Sequence, residues 1–345
     1  MATELSCPIA RDLLPSYIDG LTAPETNAAL EAHLAACPDC AALLRELSAG
    51  EERAEEAARE VDYLKTVRRR GRLRVALAIL LTAVLLIGGA AAKIFLIGSP
   101  ASADAMTWQV QETEDGALWV SVMSAASANA WWDWRQTREG DVVTITCREG
   151  LVSALHPTAH GDVRVDLAGV TEVRLVDRVI WQEGTAIETK TLRQWERRTE
   201  YAGDPAALGA LADTLLIRSL CGDYTNALQT KTPPYGWTLN FVEMPYVRID
   251  HEGRNHEMER LSRLMLALVE NLGEVSWTWE DDEGDFQQRT VTLEEAEADL
   301  AELYAWANTV NGTDWAAPES LKDCAGSPAA LQRLKTVLKA AETME

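Results

Sequence analysis

Apolar residues follow three different rhythms along this chain. From Cys7 to about residue 48 they recur at helical spacing: Ile9, Leu13, Leu14 and Tyr17 share a face before Gly20 ends the pattern, with Pro15 placed to kink it. Leu30 and Leu34 mark a second helix running to about Ala36, with Thr22 placed to cap it ahead of Pro24 and Glu25. Between Val75 and Ile97 the sequence VALAILLTAVLLIGGAAAKIFLI carries Lys93 as its one charge. That run has about the ~20 residues a helix needs to cross a bilayer while satisfying its own backbone. Beyond it the period falls to two in TWQVQ, LWVSVM, DVVTITC, DVRVDL, TEVRLV and RVIWQ, separated by Gly, Asp and Asn turns. From Asp204 helices are predicted near 205–217, 255–271 and 293–309, with strands near 237–243, 274–279 and 287–292 and a last helix from Pro328.

These rhythms predict a multi-domain chain: a small all-α domain, one transmembrane helix and an α+β outer region, β-rich at first and then mixed. The expected divisions are a small helical domain at 1–48, a helical connector at 49–74 and the span at 75–97. After it come an accessible linker at 98–106, a β-rich domain at 107–195, an α+β domain at 196–310 and a tail with a helix at 311–345. A cleavable signal peptide is not expected, because 74 residues precede the apolar run.

Charge orients the span. Lys65, Arg68, Arg69, Arg70, Arg72 and Arg74 crowd its N-terminal side, whereas SPASADAM on the other side has no basic residue. The positive-inside rule puts the N-terminus in the cytoplasm and the C-terminal region outside, with Lys93 snorkelling to the far headgroups. Residues 1–74 hold 10 basic and 13 acidic side chains of the chain's 32 and 54, which leaves 22 basic and 41 acidic beyond, a balance of −19. So acidic a surface repels nucleic acid, and no direct nucleic-acid partner is expected. All twelve Trp lie beyond the span, which supports separate folding units.

The six cysteines divide evenly across it. Cys147, Cys221 and Cys324 are odd in number and are read as buried thiols. On the inner, reducing side, EAHLAACPDCAALL sets His33 and Cys37 four residues apart on one helical face, and Cys40 follows through a Cys-Pro-Asp-Cys turn. Cys7 adds a fourth donor from the preceding helix. Three thiolates and one imidazole suit a closed tetrahedral structural zinc site. A domain of some forty residues has too little core to fold securely without such a staple. The rival reading is a metal-free dithiol, though no βαβ pattern surrounds the pair.

Cys7, LLPSYIDG and APETNAALEAHLAACPDCAALL together resemble the zinc-binding domain of bacterial membrane anti-sigma factors, over residues 5 to about 48. The resemblance implies that these helices bind an extracytoplasmic-function sigma factor and hide its polymerase-binding surfaces. It does not carry redox sensing with it. Leu43, Leu44 and Leu47 are the candidate partner-binding anchors, at the head of a discontinuous apolar stripe continued by Val61, Leu64 and Val67. Release is expected by proteolysis, with a first cut in the linker and a second within the membrane by an intramembrane protease. Residues 196–300 are similar to a domain of unassigned function found outside the membrane in bacterial sensor and anti-sigma proteins. The alternative reading is a membrane-anchored receptor whose inner zinc module only assembles copies.

No catalytic residues and no enzyme activity are expected. His251-Glu252 opens a string in which the second histidine, His256, comes one residue late for a zinc-protease motif. His156 and His160 flank Pro157 and have no evident acidic partner, and the Trp132, Trp134 pair is read as half-buried strand aromatics. The topology is open to test: an alkaline phosphatase fused after Glu345 should be active, and activity there of a reporter that folds only in the cytoplasm would reverse the orientation.

Overall fold

The computed structural model describes residues 5–124, 128–242, 250–281 and 283–344, and not the side chains of residues 51, 52 and 54–67 in its longest helix. It divides into two compact units, Met1–Ala90 and Ala91–Glu345.

The first unit is three helices: α1 (Cys7–Ile18), α2 (Pro24–Ala36) and α3 (Pro38–Ala92). Each carries a proline in its opening turn, where the missing N–H is not needed and the fixed φ already suits a helix. Gly20 follows α1 at φ +72°, a left-handed conformation that lets the chain turn back toward α2. Ala10, Leu14 and Leu30 are fully buried, and Leu5, Leu13, Tyr17, Leu34, Leu43 and Leu44 pack around them. Thr22 does not cap α2. Ala23 holds the cap position, and the Thr22 hydroxyl instead donates to Asn27 Oδ1 inside the first turns.

Helix α3 runs 55 residues without interruption into the apolar run. The most apolar 18-residue window of Arg68–Ile97 has a mean hydropathy of 2.5, and none of that window is buried. A core helix of a water-soluble protein would be covered on most of its faces. Here Leu77, Leu85 and Ile87 are among many large side chains left open, below a collar of exposed Arg68, Arg69, Arg70, Arg72 and Arg74. Lys65 and the stripe residues Val61, Leu64 and Val67 lie outside the described side chains.

The second unit opens with a π-helical turn, Lys93–Ile97, that closes at Gly98. Lys93 Nζ donates to Gly98 O at 2.6 Å, so its charge covers the carbonyls at the end of the turn. Residues 98–106 are not the accessible linker that their small side chains suggest. Ser99–Pro100 form strand β1 on Glu149 and Arg148, and Ala101 N donates to Cys147 O at 3.0 Å. Ala101, Ala103 and Met106 are buried, and Asp104 is held by Arg178 at 2.8 Å. Small residues fit here because they lie against a sheet, which composition alone cannot distinguish from freedom in solvent.

Strands β2 (Met106–Glu112), β3 (Ala117–Ser124), β4 (Asn129–Glu139), β5 (Val142–Leu151), β6 (His160–Asp166), β7 (Glu172–Leu175), β8 (Arg178–Gln182) and β9 (Thr185–Ala186) follow. They form a three-stranded sheet, β2-β3-β6, and a six-stranded sheet in which β5 pairs with β1, β4 and β7. Alternate inward residues fill one core, among them Trp108, Leu118, Val120, Val122, Ile145, Val173, Leu175 and Ile180. After α4 (Thr189–Glu196) come α5 (Pro205–Leu215), α6 (Ile217–Cys221), β10 (Tyr224–Gln229), β11 (Tyr235–Phe241), α7 (His251–Leu268), β12 (Leu272–Glu280), β13 (Phe286–Thr292), α8 (Leu293–Ala298), α9 (Leu300–Asn311) and α10 (Pro328–Ala341). The sheet β10-β11-β12-β13 joins β11 and β12 in parallel through α7, and these helices share a second core with it. Helix α10 is integral to this unit. Leu331, Leu334 and Val337 fill the second core, while Gln332 Oε1 accepts from Thr191 Oγ1 at 2.5 Å and Arg333 Nε donates to Thr185 Oγ1 at 2.8 Å.

Two glycine substitutions separate close packing from chain entropy. A Cβ on Gly150 would strike Ile94 O and the Trp132 ring, whereas one on Gly209, inside α5, would meet nothing within 4 Å. Gly150→Ala should destabilise the second unit by about 1–3 kcal/mol. Gly209→Ala should stabilise it by about 0.5–1 kcal/mol. Thermal unfolding followed by tryptophan fluorescence reads both signs, since all the tryptophans lie in this unit.

Candidate metal centre

The fold brings four side chains together from three helices. Cys7 occupies the first position of α1, His33 lies in the last turn of α2, Cys37 follows α2 as its cap, and Cys40 sits in the first turn of α3. Their ligand atoms all lie within 4.8 Å of one another, and among the described residues no second such cluster occurs. Cys7 Sγ and Cys37 Sγ are 3.8 Å apart. This is far beyond a disulfide bond, and it equals the sulfur–sulfur edge of about 3.8 Å in a tetrahedron with metal–sulfur bonds of about 2.3 Å.

Burial agrees with the spacing. His33 Nε2 is buried with no hydrogen-bond partner in the protein, an arrangement that is costly for a polar atom unless something else binds it. Cys40 is fully buried, Cys37 partly, and Cys7 lies at the surface. Electrostatics favour the thiolate at Cys37, which adjoins the opening turn of α3, where unpaired N–H groups gather positive partial charge. The backbone N–H of Cys40 holds the Cys37 thiol below its usual value, whereas sharing with Cys37 raises that of Cys7. The four residues are thus positioned to bind a metal ion, and three sulfurs with one imidazole are consistent with zinc. Bound there, zinc would supply a closed four-coordinate crosslink among the three helices, with no position left for a substrate.

Of the proposed anchors beside this site, Leu43 and Leu44 are half-buried against the small core, and Leu47 is exposed. Ile9 and Leu21 are also exposed, at 52% and 77%. The sequence reading passed over both, because periodicity assigns a residue to a helix face without saying whether another element covers that face.

Elsewhere the histidines have ordinary partners. His156 stacks on Trp132 at 3.9 Å, and His160 does have an acidic neighbour, Asp162 Oδ2 at 3.0 Å on the exposed face of the same strand. His251 and Glu252 open α7 behind the cap Asp250, and His256 is an exposed residue one and a half turns on. Trp132 and Trp134 lie over glycines, Trp132 on Gly98 and Gly150 and Trp134 on Gly161. Cys147, Cys221 and Cys324 are unpaired and buried. Burial pushes their thiols up to about 12, about 12 and about 11, which keeps them protonated and unreactive.

Comparison with known families agrees with this geometry. A zinc-finger family, of the kind characteristic of anti-sigma factors, matches residues 7–41, from the first cysteine to just past the last. Proteins of that kind are regulatory and not enzymes. A domain of unknown function, DUF4825, matches residues 195–292, which take in α5 to α7 and β10 to β13. No curated protein and no solved structure matches the chain.

The fragment 1–70 should bind one zinc ion by metal analysis. Cys37→Ser or Cys40→Ser should abolish tight binding and most of the helical circular dichroism of residues 7–41, because a four-coordinate structural site has no spare ligand. Unchanged stoichiometry and helicity in Cys7→Ser would remove Cys7 from the set.

Proposed function

We propose that this chain is a single-pass membrane anti-sigma factor whose cytoplasmic zinc domain sequesters an extracytoplasmic-function sigma factor and releases it on a signal received outside. The observation that carries the reading is the four-ligand cluster at the head of a continuous helix that becomes an apolar, uncovered span. Cys7, His33, Cys37 and Cys40 hold zinc, and zinc holds the three helices in the arrangement that meets the partner. With near-balanced charge on residues 1–74, association rests on a few desolvated apolar anchors. Leu47 is free for that role, joined by Ile9 and Leu21, whereas Leu43 and Leu44 must first leave their own core. Regulated proteolysis is the release route. Its first cut, if made at residues 98–106, requires β1 to leave β5, and an intramembrane protease makes the second.

The reading is tested by capture. Zinc-loaded fragment 1–70 should retain the sigma factor encoded beside this protein, and Leu47→Asp should weaken retention at least about tenfold, the ~1.4 kcal/mol or more expected of an interface anchor. In cells, deleting residues 1–48 should raise transcription from that factor's promoters without a signal, whereas deleting residues 107–345 should change only the response. A fragment that binds zinc but retains no sigma factor would overturn the proposal and favour an outer-domain receptor.

A further inference from the structure

We propose that the loop 151–159 is a second membrane contact, its exposed Leu151, Val152 and Leu155 entering the outer leaflet beside the span. The inference rests on the reading of Val75–Ile97 as a span and adds a lipid-facing surface to the outer unit.

Position comes first. Strand β5 runs directly to the exit of the apolar helix: Arg148 Nε donates to Ile97 O at 2.6 Å, and Gly150 lies so near Ile94 O that no Cβ could fit between them. Leu151, the last residue of β5, lines a small cleft with Lys93, Ile94 and Gly98. The loop therefore begins at the depth where Ile94, Phe95, Leu96 and Ile97, all at least 36% exposed, leave the hydrocarbon.

Its composition suits that depth. Residues 150–159 contain no Asp, Glu, Lys or Arg, although the chain beyond residue 74 has 41 acidic side chains to 22 basic. Leu151, Val152 and Leu155 are 44%, 42% and 66% exposed. Three open aliphatic side chains within five residues, beside the exposed apolar turn Ile94–Ile97, form one apolar patch at that level of the second unit.

The loop is also built to leave water. Val152 N donates to Ala128 O at 3.1 Å and Ser153 N to His156 O at 3.0 Å, while Ser153 Oγ accepts from Leu155 N and His156 N at 3.3 and 3.1 Å. Backbone donors already satisfied lose little on transfer to the interface. The His156 ring lies flat on Trp132, which in turn covers Gly98 and Gly150, so a partly buried aromatic braces the loop at the level where Trp favours membrane interfaces.

The test uses the full chain in phosphatidylcholine vesicles, with a fluorescent amino acid incorporated genetically at position 155, 85 or 286 and nitroxide placed shallow or deep on the lipid. Position 155 should be quenched about twofold or more by the shallow nitroxide, position 85 by the deep one, and position 286, where Phe286 is 82% exposed, by neither. If 85 is quenched and 155 behaves as 286 does, the loop is in water and the proposal fails while the span stands. Emission from 155 that is blue-shifted but blind to nitroxide would mean that protein covers the loop, which also overturns it. Failure at 85 would remove the span and the loop contact together.

Discussion

The first unit depends on one constraint, the convergence of four donors from the ends of three helices. Only Ala10, Leu14 and Leu30 are fully buried as its apolar cluster, and three side chains of this size contribute a few kcal/mol against the entropy of ordering some forty residues. A metal crosslink acts where the apolar core is weakest, at the helix termini. Apparent binding free energies of about 10–16 kcal/mol for structural zinc are enough to decide whether such a domain folds. Because Cys40 belongs to the first turn of α3, the same crosslink fixes the start of the helix that carries the apolar run. At about 1.5 Å per residue, the 35 residues from Cys40 to Val75 set the cluster roughly 50 Å from the apolar run along the helix axis.

The second unit is arranged around β5. This strand pairs with β4 along one edge and with both β1 and β7 along the other, and its end meets the π-helical turn through Arg148 and Gly150. The chain that leaves the apolar helix is thus in the sheet within two residues of Gly98. Helix α10 then closes the unit from its other end, placing Gln332 and Arg333 on the segment around α4 and β9 while its apolar face fills the second core.

Much of this was legible in the sequence, for identifiable reasons. His33, Cys37 and Cys40 are local, so helix geometry alone predicts their convergence. Cys7 lies 26 residues before His33, and its place depended on α1 folding back, which periodicity does not encode. The alternating runs became strands, and the region after residue 196 is α+β as predicted, with β10 as a further strand that the pattern did not indicate. Strand β4 was read only through Trp132 and Trp134, because its alternation breaks at Asp133, which adopts φ +56° at an irregularity in the pairing between Trp132 and Arg135. The helix expected at 293–309 divides at Asp299, whose carboxylate accepts from Nη1 and Nη2 of Arg263 at 2.7 and 2.9 Å. Leu43 and Leu44 illustrate a further limit: an apolar stripe identifies what is sticky, and only the fold tells which part of it has already been used.

The pairing of β1 with β5 bears on how a signal can travel. A protease takes its substrate as an extended, unpaired strand, and Ser99–Ala101 is extended but already occupied by a neighbour. Cutting there would proceed from the minority of molecules in which that edge has opened, at a rate set by their fraction whenever reclosing is faster than cleavage. A stimulus then need exert no force along the helix. A ligand that binds the opened sheet tenfold more tightly than the closed one can raise the susceptible fraction, and with it the cutting rate, by up to about tenfold, and one that prefers the closed sheet silences it. Whether the second unit acted as an activator or a brake would then be a matter of which conformer a ligand preferred.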